Sequence, residues 1–234
     1  MKSRLVVPAL AVGAVGAALV ALWLTGAMQP ALLADPGDLV RWTQPAFKAL
    51  TNIAMAVAIG SSVFAAFAVA DNSPQLKRAL NLIAASSVAW VVCGLVSYVL
   101  TYLTIAGTEI GFGASFTAGL NIFMFQIALG QSMAINLLFG AALATLALMV
   151  STHKATVFLA IIGLASLIPM AVSGHAAGSA DHAAAVNSIG MHLVAIVVWV
   201  GGLVALVVTA AGAPAGIRVD LLRRFSSLAL IAFV

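Results

Sequence analysis

Charge is what this sequence of 234 residues has least of. Only 7% of it is Asp, Glu, Lys or Arg, against about 25% in an average soluble domain, so the chain cannot present a hydrated surface all round. Cysteine is nearly absent too. Cys93 stands alone, which excludes an intrachain disulfide, and its place in the middle of an apolar run suits a packed small side chain better than a copper ligand. No Walker loop, nucleophile elbow, HExxH pair or pair of catalytic carboxylates occurs, so the sequence points to no enzyme. The 10 Lys and Arg residues are dispersed in short stretches without interleaved aromatics. That excludes a nucleic-acid footprint despite the formal net charge of +4.

What is present is apolar. Hydrophobic residues make up 64% of the chain and the mean hydropathy is +1.19, values of an integral membrane protein. Charge-free windows run over Leu5 to Ala34, Ala49 to Ala70, Ala79 to Thr108, Ile110 to Thr152, Ala155 to Gly174 and Leu193 to Ile217, and about 20 apolar residues suffice for a span. The fourth window is longer than one span. Its start, GFGASFTAGLN, reads as a loop or short interfacial helix before a span over roughly Ile127 to Val150. A further helix begins near Phe225 and is still apolar at Val234. The expected fold is therefore all-α: a polytopic transmembrane bundle of six complete helices and a truncated seventh, one domain over 1–234 that reads as a C-terminally incomplete fragment. Lys2 and Arg4 before the first apolar run also fit a secretory signal cut near Thr25 to Ala27, but that run is longer than the usual signal core. The expected N-terminus is thus retained near Met1.

Basic residues crowd into alternate connections: Lys2 and Arg4, Lys77 and Arg78, Lys154, then Arg218, Arg223 and Arg224. The positive-inside rule makes that side, and the N-terminus, cytoplasmic. The opposite side carries Arg41 and Lys48 against Asp35, Asp38, Glu109 and Asp181, a weakly anionic outer face. Its first loop, with Pro30, Pro36 and Gly37, is expected to stay irregular up to a turn at Pro45. Asp71-Asn72-Ser73-Pro74 reads as a compact cytoplasmic turn.

Three of the four histidines, His175, His182 and His192, fall within 18 residues, at or near the outer ends of the fifth and sixth helices, and Met191 adjoins the last. Imidazole is the commonest metal ligand and thioether sulfur selects soft ions, so the set suits copper in either oxidation state. Asp181 is placed to accept an imidazole N–H and fix the tautomer. On one straight helix His182 and His192 lie about 15 Å apart. A shared ion therefore requires loop before Asn187, with Asn187 or Ser188 capping the sixth helix. Solvated loop histidines are the plainer reading of His175 and His182, and a structural hydrogen bond that of His192. Trp199, on nearly the same face as His192, reads as bundle packing, and Gly201 and Gly202 as points of close helix contact. Met28, Met124 and Met170 offer either ordinary filler or a methionine path. Gln126, Gln131 and Asn136 read as interhelical hydrogen bonders, and His153 as a solvated cytoplasmic residue.

The run GHAAGSADHAAAV, then GMHLVAIVVWVGGL, with RRFSSLAL after a cytoplasmic turn, resembles the copper resistance protein D (CopD) family of bacterial membrane proteins. TYLTIAGTEIGFG and QIALGQS resemble the same family's outer loop and helix-four entry. The resemblance covers roughly Thr101 to Val234. It implies copper transport or delivery across the bacterial cytoplasmic membrane, with a periplasmic copper-binding protein as partner and His175, His182 and His192 as ligands. It also implies fusion, in actinobacterial relatives, to a cytochrome c oxidase assembly-type domain. The alternative from another class is a b-type haem redox protein with two histidines as axial ligands.

Overall fold

The structure, a computed structural model, describes residues 6–30, 34–111, 113–173 and 182–233. Among them all regular structure is helical: α1 (Val6–Leu24), α2 (Asp38–Ala68), α3 (Pro74–Ala106), α4 (Ala114–Gln126), α5 (Ala128–Met149), α6 (His153–Ala165), α7 (Leu167–Ser173), α8 (His182–Ile196), a π-helical turn (Val197–Gly201), α9 (Gly202–Ala210) and α10 (Ala215–Phe233). Five stretches are long and apolar enough to cross a membrane: α2, α3, α5, the α6–α7 run and the α8–α9 run. With the shorter apolar α1 they form the all-α membrane bundle that the composition implies.

The core is built around α2. From Met55 to Ser62 every residue of this helix is buried, so it meets neighbours on all sides: α3, the α6 segment, and the π turn with α9. Lipid gives helices no hydrophobic reason to associate, and small residues that admit close backbone contact do the work instead. Gly60 is the clearest case. A Cβ there would meet the Val197 carbonyl oxygen and come within 2.6 Å of the Gly201 Cα. A Cβ on Gly201 would in turn strike the Ala56 carbonyl. The expected close contact at Gly201 is thus with α2, while Gly202 packs against the Phe225 ring.

Several boundaries differ from the charge-free windows, each for a local reason. The helix α2 starts at Asp38, so Pro45 lies inside it and not at a turn before it. The polar first turns hold because Arg41, whose side chain is only 13% exposed, pairs with Asp35 at 2.6 Å and with Asp38 at 2.8 Å; it also donates to the Met28 carbonyl. The fifth apolar run breaks at Ser166, three residues before Pro169, whose missing N–H prevents a continuous ladder. The sixth begins at His182, well before Asn187. The last begins at Ala215, ten residues before Phe225, with Arg224 pairing to Asp220 at 3.0 Å.

Three polar side chains fasten the end of the bundle that carries Asp71. Ser73 caps α3 by accepting from the Leu76 N–H, and Asp71 Oδ1 accepts from the backbone N–H groups of Asn72 and His153. Arg78 donates to the Thr209 and Ala211 carbonyls, placing a cation at the negative end of α9. At the other end α3 stops at Gly107, which takes the left-handed conformation (φ 58°) of a helix C-cap. Short α4 is pinned there by edge-to-face packing of Tyr98 on Phe123 and Tyr102 on Phe116, with centroids 5.1 and 5.3 Å apart.

Candidate functional site

His175 and Asp181 lie outside the described residues. His182 opens α8 and His192 sits on the same helix, ten residues and about 15 Å further along its axis. The loop that a shared ion requires between them is absent, and the helix cannot offer them as two axial ligands of one haem. Met191 is 70% exposed and His192 is exposed as well, so neither turns into the described bundle. Trp199, seven residues after His192, stands in the π turn and is 44% exposed. Among the described residues no three His, Cys, Asp or Glu side chains lie close enough to hold one metal ion. At the expected anionic end, Arg41 pairs with both Asp35 and Asp38, which leaves the trio one negative charge.

The structure brings together a different set. A cavity of about 370 Å³ lies between α2, α3, α5 and α7, in the half of the bundle towards Arg41. Lys48, Thr51 and Asn52 line it from α2, Ser97 and Thr101 from α3, and Ser132 and Asn136 from α5. Two thioethers, Met133 and Met170, complete its polarisable wall. Among the described residues no carboxylate and no imidazole lines it. Polar side chains inside a membrane bundle are costly and gather where they face a cavity or one another, so this grouping is the main polar feature within the described spans. Of the methionines singled out in the sequence, only Met170 lines it. Met28 and Met124 pack elsewhere.

Asn136 forms the floor and ties four helical segments. Its Oδ1 accepts from the Trp90 indole N–H at 3.0 Å. Its Nδ2 donates to the Ser166 carbonyl at 3.1 Å and reaches the Met55 sulfur at 3.7 Å. The amide orientation is fixed by chemistry, because an indole N–H only donates and a carbonyl only accepts. Pro169 has no N–H to offer the Ala165 carbonyl, and the next carbonyl along, that of Ser166, is the one Asn136 reaches, so the node sits at the kink. Ser132 Oγ donates to the Pro169 carbonyl at 2.8 Å, holding the same kink from α5. Gln131, by contrast, donates to the Phe125 carbonyl at the α4–α5 junction.

Sequence reasoning found Asn136 but not the cavity. The available signal was the triplet Ser132, Met133 and Asn136 within one helical turn of an otherwise apolar run. The partners on α2 and α3 are more than 30 residues away in sequence and carry no local signature.

Nothing matches among curated proteins or among solved structures. The model of the copper resistance protein D-like N-terminal domain matches residues 33–185. This span takes in the cavity, His175, Asp181 and His182, and leaves out Met191, His192 and everything after them. It also reaches back over α2 and α3, where the sequence resemblance had rested mainly on hydropathy. Since the match covers nearly two-thirds of the chain, the protein belongs to the copper resistance protein D-like family and carries that family's N-terminal domain.

Proposed function

We propose that this protein carries copper across a bacterial cytoplasmic membrane or delivers it there, taking the ion at the end of the bundle where α7 stops and α8 starts. Copper is the cargo, and no catalytic step is involved. His175 and His182 form the capture pair, and Asp181 orients an imidazole. His192 and Met191, three turns along α8, form a separate contact for the ion. The single observation behind this reading is the family match, which ends at 185 and so includes the capture pair. The residues on the far side of the membrane are Arg41, Lys48 and Glu109; the Asp71 end, with Lys77, Arg78 and Lys154, is cytoplasmic by the positive-inside rule. A periplasmic copper-binding protein is the natural donor. A cytochrome c oxidase assembly domain or complex is the natural recipient.

The test is copper accumulation by cells expressing the protein, beside a His175→Ala/His182→Ala variant and a His192→Ala variant. Loss of accumulation in the double variant, with metal analysis showing near-stoichiometric copper in the purified wild type, supports the assignment. Unchanged accumulation in both variants refutes the site, and a Soret band in the wild type refutes the copper reading in favour of haem.

A further inference from the structure

We infer that the cavity between α2, α3, α5 and α7 is an intramembrane Cu(I) station, with Met133 and Met170 as its sulfur ligands and Met55 as the next sulfur inward. The inference rests on the copper reading above, and extends it from capture at the surface to passage within the bundle.

Three features of the cavity select the ion. Its donors are two thioethers and neutral hydroxyl and amide oxygens. Thioether sulfur favours Cu(I), whereas a hard dication such as Mg or Ca would want carboxylate oxygens, of which the described residues of this wall supply none. Among the described residues the only charged group on it is Lys48, whose ammonium repels a dication twice as strongly as a monocation at equal distance. A monovalent soft ion is therefore the metal that this lining tolerates best.

The geometry also gives the ion a direction. Lys48 lies 20 residues before Ala68 on α2, about 30 Å along the helix, which places it level with one hydrocarbon boundary when the Ala68 end sits at the other. Asn136 lies deeper, and its amide reaches from the cavity to the Met55 sulfur at 3.7 Å. Met55 is 3% exposed and belongs to the tightly packed middle of α2. Six residues, about 9 Å, further along α2, the Ser61 hydroxyl is buried without a hydrogen-bond partner, as is that of Ser87 on α3. A buried hydroxyl left unpaired costs free energy, so the packed middle of the bundle beyond Met55 is not fully satisfied by its own side chains. Met170 ends five residues before His175, so the chain itself joins the proposed capture pair to the cavity wall.

The test uses the full chain in mild detergent and Ag(I) as a redox-inert stand-in for Cu(I). Ag(I) affinity and stoichiometry are measured for the wild type, Met133→Leu, Met170→Leu, their combination, and His175→Ala/His182→Ala. Leucine conserves volume closely, and size-exclusion profiles check the fold. X-ray absorption on Cu(I)-loaded wild type reads sulfur in the ligand shell without any variant. The station predicts sulfur ligation and an affinity at least about 10-fold weaker in the double Leu variant, the scale on which even outer-shell changes act, with one bound ion persisting in the His variant. Unchanged Ag(I) binding in the double Leu variant, or a shell without sulfur, overturns it. If cells accumulate no copper while the purified protein still binds Ag(I) through these methionines, the transport reading fails and the site stands.

Discussion

Replacing Asn136 by Leu tests whether this one side chain holds four helical segments in register. Trp90 is fully buried, so the variant leaves its indole N–H unpaired in a medium without water, at about 1–3 kcal/mol. The Ser166 carbonyl loses its donor as well, worth about 0.6 kcal/mol by the average for membrane proteins. The two together give about 2–4 kcal/mol. Equilibrium unfolding in mixed SDS micelles measures this directly. A cycle with Trp90→Phe isolates the cause, because removing the donor also removes the penalty for orphaning it. Asn136→Leu is therefore expected to cost at least about 1 kcal/mol less when combined with Trp90→Phe than when made alone. A variant within about 0.5 kcal/mol of wild type, or a cycle that is additive within that margin, would refute the reasoning.

Gly60→Ala and Gly201→Ala should each destabilise by about 3 kcal/mol, the upper end for overpacking, because the added methyl meets backbone and not a movable side chain; detergent melts read the effect, and wild-type stability in either contradicts the packing. Arg78→Ala should lower stability by about 1–2 kcal/mol and speed hydrogen exchange in the last turn of α9, with Arg78→Lys intermediate. Unaltered exchange there would show that the guanidinium does not cap the helix. In a Cys93→Ala background, Thr108→Cys should react with an impermeant thiol reagent in intact cells and Ser73→Cys only after lysis. The reverse pattern would invert the proposed topology.

How much of this was legible in the sequence depended on whether the signal was local. The spans follow from composition, and the α4–α5 division follows from the Gly-rich start of one long window. Asn136 announced itself as an amide in an apolar run. Helix starts were misplaced where charged residues stand inside a helix: Arg41 in α2, paired with Asp35 and Asp38, and Arg218 to Arg224 in α10, where Arg224 pairs with Asp220 one turn away, were read as loop because charge was taken to end a span. The cavity stayed hidden because its wall is assembled from hydroxyl residues that are unremarkable singly. Thr51 bonds back to the Phe47 carbonyl of its own helix, a habit that any span tolerates. Only the packing of α3 against both α2 and α5 turns such residues into one surface. The histidine cluster had the opposite fate. Its residues stood out at once, but the continuous helix from His182 separates two that composition alone had grouped.

The π turn at Val197–Gly201 bears on how this chain tolerates change in its length. Such a turn holds one residue more than the α-helical register needs, so the α8–α9 run carries a surplus residue at a known place. Removing one residue anywhere else in the run would rotate everything beyond it by about 100° and shift it by about 1.5 Å, misaligning His192 against the Gly201 contact with α2. Removal within the turn would instead convert it to ordinary α-helix. Among homologous chains, single-residue length differences in this span should therefore fall at these five positions, where the helix already stores the slack.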